Sequence, residues 1–174
     1  MLPFPVRGER VSVTSGLGLP LTQPTALIAS GFGIGLMPRA PGTWASLAAL
    51  PCAWGLCWCC GTAGLAAATA VAFLAGWWAS EQVARTSPVA DPGWVVVDEI
   101  AGQWLVLLFV PQRVWFYGAA FAAFRLFDIW KPFPVSWCDR NVRGGLGIML
   151  DDVAAAIYAA MLIAIAEGVA GVRP

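Results

Sequence analysis

Residues 40–80 read APGTWASLAALPCAWGLCWCCGTAGLAAATAVAFLAGWWAS and contain no charged side chain. The stretch is long enough for two membrane-crossing helices of about 17 to 19 residues, and its central Gly-Thr-Ala-Gly, residues 61–64, is typical of a turn. We therefore predict a transmembrane hairpin with helices over 44–60 and 63–80. Trp44, Trp77 and Trp78 would lie at one membrane interface, where tryptophan is enriched, and Trp54 and Trp58 would lie deeper or mark the other.

The composition of the whole chain supports a compact, all-α membrane protein. Of its 174 residues, 59% are hydrophobic and 11% are charged, and the formal charge is zero. Such a chain has no basic field to attract nucleic acid, so nucleic-acid binding is excluded. Prolines interrupt the first 27 residues, which do not resemble a secretory signal peptide. We expect an N-terminal polar segment over 1–26 and a single membrane-integral domain over 27–174.

Three further apolar helices are predicted after the hairpin, about five in all. Asp91-Pro92 provides a helix start, and this helix would run to Val110, before Pro111. A second helix over 114–127 is short and would either span the membrane or form a re-entrant hairpin with the first. Residues 128–150 are interpreted as a polar, glycine-rich loop, and 153–169 as the last helix.

The basic residues predict the orientation of these helices. With a cytoplasmic N-terminus, eight basic residues lie inside and only Arg113 and Arg173 lie outside, as the positive-inside rule requires. The C-terminus is then on the opposite face. The same topology brings three acidic clusters to the cytoplasmic side: Asp98-Glu99, Asp128 and Asp151-Asp152.

Carboxylates gathered at the edge of hydrocarbon repel one another unless a cation offsets them, so a divalent metal site is the simplest explanation. Asp98 and Glu99 are neighbours on a helix, so we expect one to bind the metal and the other to support it. Arg125, Asp128 and Lys131 recur at i, i+3 and i+6, which would align them into a strip suited to a phosphate beside a metal. Asp151 would cap the last helix, with Asp152 turned into the bundle. The alternatives are a solvated helix start for the first pair and a salt-bridge ladder for the strip.

The residues that are missing narrow the chemistry. The chain has no histidine, which excludes a Ser-His-Asp triad and a phosphohistidine intermediate. Four of its five cysteines lie in one apolar run without the spacing of a zinc site. The chemistry that remains is attack on a phosphate by water that a metal activates. The rival class is a small cation-coupled transporter or channel, which would place its acids near the middle of the spans, and a membrane scaffold would need no convergent acids.

Four ordered motifs resemble the phosphatidylglycerophosphatase A family over about residues 27–160. They are GFGIG with PRAPGT (residues 31–35 and 38–43), VDEIAG (97–102), FRLFDIWKPFP (124–134) and RGGLGIMLDDV (143–153). The resemblance implies a multi-pass enzyme of the bacterial inner membrane, with its site facing the cytoplasm. Its activity would be Mg²⁺-dependent removal of the terminal phosphate of phosphatidylglycerophosphate, giving phosphatidylglycerol.

The resemblance also implies roles for particular residues. The metal ligands are expected among Asp98, Glu99, Asp128, Asp151 and Asp152. The resemblance does not divide the work among these acids; from the residues we expect Asp98, Asp128 and Asp152 to be catalytic, and a covalent aspartyl-phosphate on Asp128 stays open as a chemical alternative. The residues expected to bind substrate are Arg39, Thr43, Arg125, Lys131 and Arg143.

Overall fold

The computed structural model describes residues 23–87, 89 and 91–170, and this part of the chain is helical with no strand. The prediction of an all-α protein is confirmed. Most of the predicted N-terminal segment over 1–26, and both chain ends, lie outside the described residues. The helices are α1 (Pro24–Ala29), a 3-10 turn (Ile34–Leu36), α2 (Pro41–Thr86), α3 (Val97–Leu107), α4 (Val114–Trp130), α5 (Val135–Asn141) and α6 (Gly144–Ala170).

Helix α2 is a hairpin of two antiparallel halves. Its helical geometry is interrupted at Gly61, where φ is 67° and ψ is −175°, a conformation that glycine adopts without strain. An unbroken helix would separate Gly42 from Gly76 by about 51 Å. Instead Gly42 lies against Glu99, and Gly76 lies against Val97, in the first turn of α3. The predicted hairpin is therefore confirmed, with its halves extended to 41–60 and 62–86.

Helices α3 and α4 form the second hairpin, with boundaries that differ from the prediction. Helix α3 begins at Val97 rather than at Asp91, because the backbone from 91 to 96 is irregular and the amide of Val96 donates to the carbonyl of Ala29. The acidic pair therefore lies in the first turn of α3. Helix α4 begins at Val114, as predicted, and continues to Trp130.

The prediction of a loop over 128–150 is wrong. This segment contains the end of α4, all of α5 and the first two turns of α6. Its glycines serve close packing rather than flexibility. A Cβ at Gly145 would lie 2.2 Å from the backbone nitrogen of Glu81, and one at Gly147 would lie 2.1 Å from the carbonyl oxygen of Val142. Asp151 consequently lies inside α6 and does not cap it.

Helix α6 packs against α2, α3 and α4, and the acidic side chains lie at one end of this bundle. Helices α2 and α6 are each long and apolar enough to cross a membrane, by length and composition. Large aromatic side chains are exposed at both ends. Trp44, Trp77 and Trp78 lie at the acidic end, and Trp58 lies near the Gly61 turn.

Candidate active site

Three carboxylates from two helices meet at the acidic end of the bundle. Oxygens of Asp98 and Glu99 on α3, and of Asp152 on α6, all lie within 4.8 Å of one another. Asp98 is 9% exposed and Asp152 is 3% exposed. We call these three residues the acid cluster. Both neighbours on α3 bring an oxygen to the acid cluster, and which of them binds a cation and which supports it stays a prediction.

Each member of the acid cluster keeps a buried oxygen without a hydrogen-bond partner among the described residues. These atoms are Oδ1 of Asp98, Oε2 of Glu99 and Oδ2 of Asp152. A buried carboxylate oxygen is costly to leave unpaired, and three that converge also repel one another. Oxygen donors so arranged fit a hard divalent cation such as Mg²⁺, which binds carboxylates and retains several water ligands.

Two glycines allow the acid cluster to form. A Cβ at Gly42 would lie 1.8 Å from Oε1 of Glu99, so only glycine leaves space for this carboxylate against α2. A Cβ at Gly102 would lie 2.8 Å from the ring of Phe124 and 3.3 Å from Cβ of Asp152. Gly102 thus lets α4 and α6 approach α3 closely enough for the acids to meet.

Arg125 of α4 links the acid cluster to Asp128. Its Nη1 atom lies 2.6 Å from Oδ2 of Asp128 and 3.9 Å from Oε1 of Glu99, and all three side chains are largely buried. Asp128 is also close enough to Asp152 for the two carboxyl groups to interact. The guanidinium therefore balances part of the negative charge, and its Nε remains without a hydrogen-bond partner in the described structure.

Lys131 does not join Arg125 and Asp128 in the predicted strip, and it pairs instead with Asp151. It is the residue that ends α4, in a left-handed conformation with φ of 46°. Its Nζ donates to Oδ1 of Asp139 at 2.5 Å and to Oδ2 of Asp151 at 2.8 Å. Burial lowers the pKa of Lys131, but the two hydrogen bonds outweigh burial, so the pKa is above its ordinary value. The ammonium group ties α4 to α5 and α6.

The remaining predicted substrate residues lie around the acid cluster rather than in it. Arg39 is exposed just before α2, and Thr43 is half-buried next to Gly42. Arg143 is exposed and lines a polar cavity of about 430 Å³ with Arg140. Asp151 is also part of its wall, so the cavity adjoins the Lys131 ion pairs.

Several residues that shape this region were not predicted from the sequence. Asp139 pairs with Lys131 across eight residues, a spacing with no local signal. Glu81 accepts a hydrogen bond of 2.8 Å from the backbone N–H of Gly145 and so holds the start of α6 against α2. Gln103 is fully buried, and neither of its amide atoms has a partner among the described residues. Its position four residues after Glu99 was the available signal, because it places both on one helix face.

Comparison with known proteins gives one family. The family model described as Phosphatidylglycerophosphatase A matches residues 27–167. The chain is 40% identical over 146 residues to "Phosphatidylglycerophosphatase A" of Escherichia coli (strain K12), covering 83% of this chain and 84% of that protein. It is 42% identical over 144 residues to the protein of the same name from Haemophilus influenzae, covering 82% and 88%.

A third relative carries a different name. The chain is 42% identical over 158 residues to a Bacteroides thetaiotaomicron protein that bears the name "Putative phosphatidylinositol-3-phosphatase", covering 83% of this chain and 94% of that protein. No solved structure matches the chain.

Proposed function

The chain belongs to the phosphatidylglycerophosphatase A family, and from that premise we propose that it hydrolyses the terminal phosphomonoester of phosphatidylglycerophosphate to give phosphatidylglycerol. The observation that carries the proposal is the acid cluster. Three carboxylates bring oxygens within 4.8 Å of one another, each keeps a buried oxygen without a partner among the described residues, and a largely buried arginine lies beside them. This is the arrangement that a metal-assisted attack on a phosphate needs.

The residues that would hold Mg²⁺ are Asp98, Glu99 and Asp152. A cation bound there would polarise the phosphoryl oxygens and lower the pKa of an attacking water. Asp151 is outside this group, because its carboxylate is paired with Lys131. Of the five acids expected as ligands, three therefore converge. Asp128 lies beside them and forms an ion pair with Arg125.

The other residues of the site bind and orient the phosphate. Arg125 can donate two parallel hydrogen bonds to phosphate oxygens, because its guanidinium is planar and is held in place by Asp128. Asp128 does not belong to the group that would hold the metal, but it lies next to Asp152 of that group. It is therefore placed to accept the proton of the attacking water. Lys131 fixes the ends of α4 and α6, from which Arg125 and Asp152 project.

We place the protein in the bacterial inner membrane as a multi-pass protein whose acid cluster faces the cytoplasm. Two observations support this placement. Helices α2 and α6 are long and apolar enough to cross a membrane, and apolar side chains such as Val71, Leu74 and Ile165 are exposed on them. Most of the basic residues in the printed sequence fall on the side of the acid cluster in this topology, as the positive-inside rule predicts.

The experiment is phosphate release by the purified full-length chain from phosphatidylglycerophosphate, phosphatidate and phosphatidylinositol 3-phosphate in mixed micelles, with Mg²⁺ or with excess chelator. The third lipid is included because of the Bacteroides relative. We expect release from phosphatidylglycerophosphate that requires Mg²⁺. The activity of Asp152→Asn is compared with that of a matched control, Glu167→Gln, which alters a carboxylate of α6 far from the acid cluster.

The outcomes separate the parts of the proposal. Release in excess chelator would refute the role of the metal. Faster hydrolysis of phosphatidylinositol 3-phosphate would replace the proposed substrate by another lipid phosphomonoester. No release from any of the three lipids would refute the proposed function, and equal loss of activity in both variants would deny the acid cluster a specific role.

A further inference from the structure

A groove of about 470 Å³ runs along the outer surface of the bundle, between the second half of α2, α3 and α6. Side chains of α2, small toward Ala66 and larger at Phe73 and Leu74, form one wall, and apolar side chains of α3 and α6 form the others. The residues that define it include Ala66, Ala70, Phe73, Leu105, Leu108 and Val153.

The chemistry of the groove favours a hydrocarbon ligand over a polar one. No charged side chain lines it. Its one hydroxyl, on Thr69, already donates to the carbonyl oxygen of Leu65 at 2.8 Å. Two of its walls belong to α2 and α6, the helices that are long and apolar enough to cross a membrane. The groove therefore offers contacts only to a hydrocarbon ligand at the depth of the acyl chains.

One end of the groove adjoins the acid cluster. On α3, Asp98, Ala101 and Leu105 are spaced at i, i+3 and i+7, which places them on one helix face. Asp98 thus heads the row of side chains that lines the groove. On α6, Leu150 and Val153 line the groove at the same level along the helix axis as Asp152 of the acid cluster.

We propose that this groove holds an acyl chain of the phospholipid whose phosphate reacts at the acid cluster. The inference rests on the proposed function and adds the part of the site that recognises the lipid tail. An acyl chain in the groove is continuous with the phosphate at the acid cluster, since both are parts of one phospholipid molecule. A protein helix seated in the groove would instead cover the approach from the membrane to Asp98.

The length of the groove makes the proposal testable with substrates of different chain length. Helix α3 rises about 10 Å from Ala101, near the acid cluster, to Leu108 at the far end. Ala66 follows the Gly61 break of α2 by little more than one turn, at the end of the bundle opposite the acid cluster, and lines the groove together with Leu108. A bulky side chain at position 66 would therefore obstruct a long acyl chain and leave room for a short one.

The test is Ala66→Phe, with Ala67→Phe as the matched control. Ala67 is the next residue of the same helix, equally exposed, and does not line the groove. We measure kcat/KM for dioleoyl and dihexanoyl phosphatidylglycerophosphate in the same mixed micelles, together with oligomeric state. We expect Ala66→Phe to lower the dioleoyl-to-dihexanoyl ratio of kcat/KM by about tenfold and Ala67→Phe to change it by less than about twofold.

Other results overturn the proposal. An unchanged ratio in Ala66→Phe means that the acyl chain does not use the groove. A loss of activity that is equal for both lipids and accompanied by dissociation of an oligomer means that the groove is a helix-packing interface. A wild-type protein that releases no phosphate from either lipid refutes the proposed function itself, which is a different result.

Discussion

Replacing Gly42 by alanine should separate activity from stability. The new Cβ would lie 1.8 Å from Oε1 of Glu99, whereas ordinary contact begins near 3.4 Å. Restoring that separation moves the carboxylate by about 1.6 Å. The atom that must move is the end of a flexible side chain, so the fold can absorb the change at small cost in unfolding free energy.

The acid cluster cannot absorb the same displacement. Its oxygens lie within 4.8 Å of one another, and a misplacement of about 1 Å can cost a factor of roughly a hundred in rate. We therefore expect Gly42→Ala to lower kcat/KM for phosphate release by about a hundredfold and to weaken the dependence on Mg²⁺. Its melting temperature should stay within a few degrees of wild type.

The matched control for this prediction is Gly55→Ala, in the same half of α2. A Cβ at Gly55 has no neighbour within 4 Å in the described structure, so alanine there should leave both activity and melting temperature intact. Phosphate release, Mg²⁺ titration and thermal melting on the three proteins decide the matter. If Gly42→Ala keeps near-normal kcat/KM and Mg²⁺ dependence, the position of Glu99 does not matter for the reaction and our reasoning is wrong.

Three further predictions concern the acids, the buried amide and the topology. Asp128→Asn and Asp152→Asn should each lower turnover by at least about a hundredfold, because Asp128 could no longer accept the proton of the attacking water and Asp152 could no longer help to hold the cation, and near-normal turnover in both would remove them from the site. In excess chelator Asp152→Asn should also melt at a higher temperature than wild type, since it relieves repulsion within the acid cluster. Gln103→Leu should raise the melting temperature by removing buried polar atoms that lack partners, and a lower melting temperature would show that the amide is satisfied in the folded protein. Cysteine labelling should find the N-terminus in the cytoplasm and the C-terminus on the opposite face, and labelling of both from one side would mean that the hairpin of α3 and α4 is re-entrant.

The hairpin of α2 and the convergence of the acids could be predicted because their signals are local. A long uncharged stretch broken at Gly61 has few structural solutions in a membrane. The positive-inside rule places Asp98 and Asp152 on one side without any knowledge of packing. The structure adds that their carboxylates meet.

The errors arose where distant contacts decide local structure. The glycines at 145 and 147 led to the prediction of a loop. They are helical, because α6 packs directly on Glu81 and Val142. Lys131 has the right spacing to join Arg125, but α4 ends there, and Asp139 on the next helix attracts its ammonium group. No pattern within a single segment could reveal either partner.

The shortness of the α3–α4 hairpin has a consequence for the surrounding bilayer. Helix α4 has 17 residues and rises about 25 Å, and α3 has 11 residues and rises about 16 Å, whereas the hydrocarbon core is about 30 Å thick. The exposed rings of Trp115 and Trp130 mark the two ends of α4. In the proposed membrane placement, hydrophobic mismatch on this side would thin the adjacent leaflet, at a cost of a fraction of a kcal/mol per ångström. The thinned patch would bring the lipid headgroups closer to the acids, so bilayer thickness itself would become a variable of the reaction.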